Sequence, residues 1–380
     1  MKILITSDLY RINISGVEMS VDILFKGLKK EGHDVRILTL SCNHKEGKEG
    51  DVYFIGSLDA SIVYPYARIV YPQRSEIIKE LIEWKPDIIH THCELSSFAC
   101  ACYISRKCRI PIVHTYHTAY EEYAHYVPFG GSILVKLFLP NILRLISGKT
   151  KLFIVPSEKM RQKLITFKFP SQISVIPSAI NDRFIYEDYS EYRNIIREKY
   201  GIKDEECIFL FLGRVAREKN IKELIEYADC DELTKFRIMI CGSGPYLKRV
   251  KKECAKRGIS DRVIFTGMVS PEEVPKYYSA GDIFINASVT ETQGLTYMEA
   301  MACTLPVLCR NDKCLEGVIE NEKNGFVYNN REEFLQYASE LTNECDLRKK
   351  VGKNAREMVC EKYNSGKYVK SCEKIYAGLL

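Results

Sequence analysis

Several features that define whole protein classes are missing or scarce in this sequence. One tryptophan, 13 prolines and 22 glycines among 380 residues exclude collagen-like and low-complexity architectures. No apolar run approaches the roughly 18 residues a spanning helix needs. The best candidate, Ile133 to Ile146, is broken by Lys136, Pro140, Asn141 and Arg144. The opening run is too short for a secretory leader and is interrupted by Asp8, so a cytoplasmic protein is expected. The 15 cysteines contain no C-x-x-C pair, and their nearest approach is Cys100-x-Cys102. Reduced thiols are therefore expected rather than a zinc site. The phosphate-binding pattern G-x-x-x-x-G-K-[ST] is absent, which excludes a P-loop ATPase. So is G-x-G-x-x-G, which disfavours a dinucleotide-dependent oxidoreductase. A formal net charge of +5 is too small to argue for a nucleic-acid partner.

What is present is ordinary globular material, 46% hydrophobic and 28% charged, long enough for two domains. Charge is uneven: residues 1–180 carry a net +6 and residues 181–380 a net −1, and all seven histidines fall in the first third. Either this is a solvated basic face, or the first half meets something anionic. Short apolar runs alternate with helical periodicity from Lys2–Ser7 through Leu152–Pro156. The alternation restarts at Ile208–Leu212 after a polar break near Ser178–Glu191. Strands separated by helices predict an α/β fold of two doubly wound parallel sheets, with ligands at the carboxyl ends of the strands.

Four stretches carry the chemistry. In Glu291-Thr292-Gln293-Gly294-Leu295-Thr296-Tyr297-Met298-Glu299, a loop runs into a helix near Leu295. Backbone N–H groups of Gly294, Leu295 and Thr296 at that start suit a diphosphate, and Glu291 and Glu299 can accept sugar and ribose hydroxyls. A capped helix with a surface glutamate fits the same spacing. In Gly213-Arg214-Val215-Ala216-Arg217-Glu218-Lys219, a strand ends at glycine and two cations follow. Arg214 suits bidentate contact with phosphate and Lys219 acts as a point charge; a solvated basic turn is the plainer reading. Gly16, in the first strand-to-helix turn, permits close backbone approach to a ligand. His114 to Tyr126 is dense in His, Tyr and Glu beyond a strand end, which suggests a surface for binding hydroxyls; a mixture of core and loop is the plainer alternative.

Taken in order, Gly16, His117-Thr118, Gly213-Arg214…Lys219 and the pair Glu291…Glu299 resemble the retaining glycosyltransferases of family 4, which have the GT-B fold. The resemblance covers essentially the whole chain, including Ile176-Pro177-Ser178-Ala179-Ile180-Asn181 and Glu299-Ala300-Met301-Ala302. Residues 117–126 and 291–294 are similar to bacterial diacylglycerol glucosyltransferases. Ser15-Gly16 stands where many members have Gly-Gly, Thr292-Gln293-Gly294 where many have Gly-Phe-Gly, and Thr304 at a position that is often Gly.

The resemblance implies an N-terminal acceptor and membrane-facing domain at 1–180. A nucleotide-sugar domain would span 181–360, and a C-terminal helix at 361–380 would cross back to the first domain. It implies a UDP-sugar co-substrate, no other cofactor and no metal, with Arg214 and Lys219 on the diphosphate. Glu291 and His117 would meet the sugar, Glu299 the ribose, and the backbone at Val269 the uracil. Gly16 would lie near the β-phosphate. Glucose passing to diacylglycerol at the inner face of the cell membrane is the expected reaction. Another acceptor, another nucleotide sugar or a silent sugar-nucleotide binder are the alternatives. Residues 130–151 and 61–74, with apolar and aromatic side chains interleaved with Lys and Arg, are the expected contacts with anionic lipid, and an ordinary amphipathic helix packed on the sheet is the plainer reading of 130–151.

Overall fold

The computed structural model describes the chain except residues 9, 12–14, 43–44, 61–67, 118–130, 170 and 230–235; of 131–138 it describes the backbone. The chain forms two compact units, Met1–Ala179 with Ser365–Leu380, and Ile180–Asn364.

In the first unit the strands are β1 (Lys2–Thr6), β2 (Asp34–Ser41), β3 (Gly47–Glu49), β4 (Val52–Gly56), β5 (Leu58–Asp59), β6 (Arg68–Ile69), β7 (Ile88–Thr91), β8 (Ile112–Thr115), β9 (Leu152–Val155) and β10 (Gln172–Val175). The main sheet runs β10-β9-β8-β7-β1-β2-β4-β3. It is parallel apart from the β3–β4 edge, and β5 pairs with β6 as a separate hairpin. After β1 the chain proceeds one way, to β2 and β4; from β7 it proceeds the other way. The sheet therefore reverses between β1 and β7, where a doubly wound sheet opens a crevice at its carboxyl edge. Ser15 caps the Gly16–Lys30 helix by accepting from the Glu18 amide at 3.2 Å. The helix buries Val21, Leu24 and Leu28. Against it lies the C-terminal helix Ser365–Ala377, drawn close because Gly27 has no Cβ to meet Val369. Tyr368 reaches Ser20 at 3.0 Å and His33 meets Glu373 at 2.6 Å.

In the second half of the helix Gly131–Ser147, one side packs against the sheet. Leu139, Leu143 and Ile146 enter the core at helical spacing. Ile142 and Leu145 stay exposed, beside an Arg144 that donates to the Phe167 carbonyl. Of the 61–74 stretch, residues 61–67 lie outside the described residues. Ile69 and Tyr71 are exposed, as is Leu58, the partner of Ile69 across the hairpin.

The second unit is a six-stranded parallel sheet: β11 (Cys207–Leu212), β12 (Phe236–Cys241), β13 (Val263–Gly267), β14 (Ile283–Asn286), β15 (Val307–Arg310) and β16 (Phe326–Tyr328), in the order β13-β12-β11-β14-β15-β16. Burial on both faces explains its continuous apolar strands. Along β11, Ile208 and Leu210 enter one core while Phe209 and Phe211 enter the other. This sheet reverses between β11 and β14. Thr304 sits in the left-handed region at φ 66°, a conformation that costs a β-branched residue and not glycine.

A buried ion pair anchors β14. The Arg197 guanidinium meets Asp282 Oδ2 at 3.2 Å and donates to the carbonyls of Lys203 and Glu206 at 2.7 and 2.6 Å. Asp282 also accepts from Arg193 and from the Ile208 amide. Arg197→Met strips those carbonyls of their donor and leaves Asp282 half-compensated. Chemical denaturation should show a loss of about 3 kcal/mol, the lower end for a broken buried pair; an unchanged midpoint would mean that the pair contributes nothing.

Candidate active site

The reversal point of the second sheet gathers the cation and carboxylate motifs. Lys219 lies in the loop after β11 and Glu291 in the loop after β14. Because β11 and β14 are parallel neighbours, both loops leave the same edge. Lys219 Nζ lies 2.6 Å from Glu291 Oε1, with side chains only 20% and 13% exposed. A second tie joins the loops, Ser288 Oγ to the Glu218 carbonyl at 3.4 Å. Asp312, itself buried, accepts the Glu291 amide at 3.2 Å and so sets the backbone that carries Glu291.

Gly294 begins the helix Leu295–Ala302 at φ 81°, and a Cβ there would fall 2.2 Å from the Tyr297 ring. Glycine is required twice over, by conformation and by space. Among the described residues no side chain caps this helix start. Leu295 and Thr296 are partly buried. Glu299, one turn in, is buried and accepts from the Tyr278 hydroxyl at 3.0 Å. Burial pushes its carboxyl up to about 7, and the Tyr278 hydrogen bond only partly opposes that shift. Arg214 is exposed directly after Gly213. Val269 follows β13, partly buried against the core.

Sequence reasoning missed two features of this edge. Tyr278, on the helix Val274–Ala280, holds Glu299 across a separation no local motif reveals. Gly242 and Gly244, in the turn after β12, let the chain pass against the β11 turn: a Cβ on Gly242 would lie 1.9 Å from the Gly213 carbonyl, and one on Gly244 2.4 Å from that of Val215. The Gly-Ser-Gly triplet was the available signal.

Gly16 and His117 belong to the first unit. Gly16 is the exposed first residue of the Gly16–Lys30 helix. His117 follows β8, and its Nε2 lies 2.9 Å from His92 Nδ1 just beyond β7. Residues 118–126 of the His/Tyr-rich stretch lie outside the described residues. Three of the histidines add nothing to the positive charge of the first half. Burial holds His90 and His92 well below the usual imidazole range and His117 down to about 3, so these three are neutral. Among the described residues no group of three or more His, Cys, Asp or Glu is arranged to hold a metal ion, and no helix is long and apolar enough to cross a membrane.

The raised carboxyl of Glu299 links stability to pH. The folded chain keeps a proton there that the unfolded chain releases near 4.5, so stability falls as pH rises from about 4.5 to about 7. The contribution is on the order of 3 kcal/mol. In Glu299→Gln that part of the decline should vanish from denaturation curves taken across the window; parallel curves for both proteins would contradict it.

Residues 14–184 match the family description Glycosyltransferase Family 4, and residues 192–358 match Glycosyl transferases group 1. The chain is 32% identical to the alpha-monoglucosyldiacylglycerol synthase of Acholeplasma laidlawii, with 100% of this chain and 98% of that protein aligned. It is 35% identical to the synthase of the same name from Streptococcus pneumoniae, over 86% of this chain and 75% of that one. Among solved structures, Anabaena HepE in complex with UDP and glucose superposes with a TM-score of 0.77 at 15% identity, covering 100% of both chains. Sucrose-phosphate synthase from Thermosynechococcus elongatus gives 0.76 at 20% identity, over 100% of this chain and 98% of that one. Two doubly wound parallel sheets, matched end to end by such relatives, identify the chain as a member of glycosyltransferase family 4 with the GT-B fold.

Proposed function

We propose that the protein transfers glucose from UDP-glucose to diacylglycerol, with retention of anomeric configuration and without a metal ion, at the cytoplasmic face of the membrane. The observation that carries this reading is the Lys219–Glu291 pair at the sheet reversal, in a chain whose relatives of 32% and 35% identity are named for that product. Breaking the bond between the sugar and the diphosphate puts negative charge on the departing group and positive charge on the ring. Arg214, Lys219 and the amides of Gly294, Leu295 and Thr296 stabilise the first. Such preorganised electrostatics are often the largest catalytic contribution. Glu291 holds Lys219 in place and accepts hydrogen bonds from the sugar hydroxyls, while Glu299 accepts them from the ribose hydroxyls. The backbone at Val269 meets the uracil, the backbone at Gly16 lies near the β-phosphate, and His117 hydrogen-bonds the sugar near its reacting carbon.

In this reading the acceptor hydroxyl attacks from the face that the diphosphate leaves. The new C–O bond forms as the old one breaks, and the acceptor's proton passes to the departing phosphate oxygen. UDP and monoglucosyl-diacylglycerol result. Two surfaces support contact with anionic lipid: Leu58, Ile69 and Tyr71 near Arg68 and Arg74, and Ile142 and Leu145 beside Arg144.

Incubation with UDP-glucose and diacylglycerol should give a single α-linked glucolipid by proton NMR, undiminished by EDTA. A β-linked product would contradict retention, and loss of activity with EDTA would contradict metal independence. Arg214→Ala and Lys219→Ala should each lower turnover on the order of 100-fold or more; unchanged turnover in either removes that cation from the mechanism. Binding to anionic vesicles should fall with added salt, and equal binding to neutral vesicles would remove the electrostatic part.

A further inference from the structure

Behind the carboxyl edge of the first sheet lies a chain of buried imidazoles. His90 is fully enclosed, with Tyr376 Oη 2.6 Å from its Nδ1 and Thr115 Oγ1 2.7 Å from its Nε2. Its ring lies 4.3 Å from that of His92, centre to centre. The rings of His92 and His117 are nearly parallel, 20° apart, with centres at 5.2 Å. That separation, with nitrogens 2.9 Å apart, means that the rings meet edge to edge through a hydrogen bond rather than face to face.

Two neutral imidazoles share one proton in such a contact, and the two arrangements differ in what they leave over. If His117 Nε2–H donates to His92 Nδ1, then His92 must carry its own proton on Nε2. That atom is buried and has no hydrogen-bond partner among the described residues. If His92 Nδ1–H donates to His117 Nε2, the atom left bare is a lone pair. A buried N–H without an acceptor is the rarer and costlier defect.

We infer that His92 is a positioning residue: its Nδ1–H donates to His117 Nε2, fixing His117 as the tautomer that carries its proton on Nδ1 and offers an N–H to the donor sugar. Resting on the placement of His117 at the sugar proposed above, this makes His117 a hydrogen-bond donor toward a sugar oxygen, neither a proton acceptor nor a general base. The C-terminal helix takes part, because Tyr376 holds His90 and the His90 ring lies against His92. His90-x-His92 and His117 are thus parts of one device supplied by the ends of β7 and β8.

The direct test needs no substitution in the protein being read. Wild-type chain labelled with nitrogen-15 in histidine alone, observed by long-range proton–nitrogen correlation, reports which nitrogen of each ring is protonated. His92→Asn and His117→Asn identify the two sets of signals by their disappearance. The inference expects the proton on Nδ1 in both rings; a proton on Nε2 of His117 overturns it. Kinetics supply a second readout. Asn at 92 keeps an N–H where Nδ1 stood, so His92→Asn should retain most of kcat. His92→Leu should lose roughly ten- to hundredfold with little change in KM for UDP-glucose. Equal kcat in the two variants overturns the positioning role. Full kcat in His117→Ala would instead overturn the placement of His117 at the sugar, and the tautomer read in the wild-type protein would stand or fall separately.

Discussion

The pairing of Lys219 with Glu291 is where the fold and the chemistry meet. Two loops from adjacent parallel strands each deliver one charged group, and the strands must leave the sheet at the same edge for the groups to touch. A parallel sheet provides such a meeting where its connection order reverses, between β11 and β14. Neither charge is well solvated, so each depends on the other. Glu291 keeps the lysine localised, and the two opposite charges compensate one another where solvent is sparse. The pair carries no net charge, but it is fixed in place before any ligand arrives, and preorganisation of that kind is the condition for effective electrostatic stabilisation.

The surrounding structure serves that readiness. Asp312 fixes the backbone under Glu291, and Tyr278 holds the second glutamate. Gly294, Gly242 and Gly244 let main chain approach where a Cβ would collide. Arg197 and Asp282 tie the start of β14 to a helix and to β11, so the strand that carries the Glu291 loop is anchored at its far end. In the first unit the same economy of position appears at the β1–β7 reversal, where β7 is followed directly by His92 and the neighbouring β8 by His117.

Much of this was legible in the residues. Alternating apolar runs and helical stretches located β1, β9 and β11 to within a residue, because strands buried on both faces are continuous apolar runs with sharp ends. The five-residue β4 was missed, as were β3, β5, β6 and β16; elements of two or three residues leave no periodic signal. The charged motifs stood out because each follows a strand end. Their partners did not: Tyr278 lies 21 residues before Glu299, and contacts of that kind are set by how helices pack on the sheet. His90, His92 and His117 were visible but their state was not, since burial, which only the fold provides, keeps these three rings neutral.

The account stands on the claim that Lys219 engages the diphosphate rather than merely supporting the loop. Calorimetric titration of wild-type protein and Lys219→Ala with UDP and with uridine measures this most directly. The account predicts that the substitution weakens UDP tenfold or more and leaves uridine unchanged. Equal weakening of both ligands, or of neither, would contradict it.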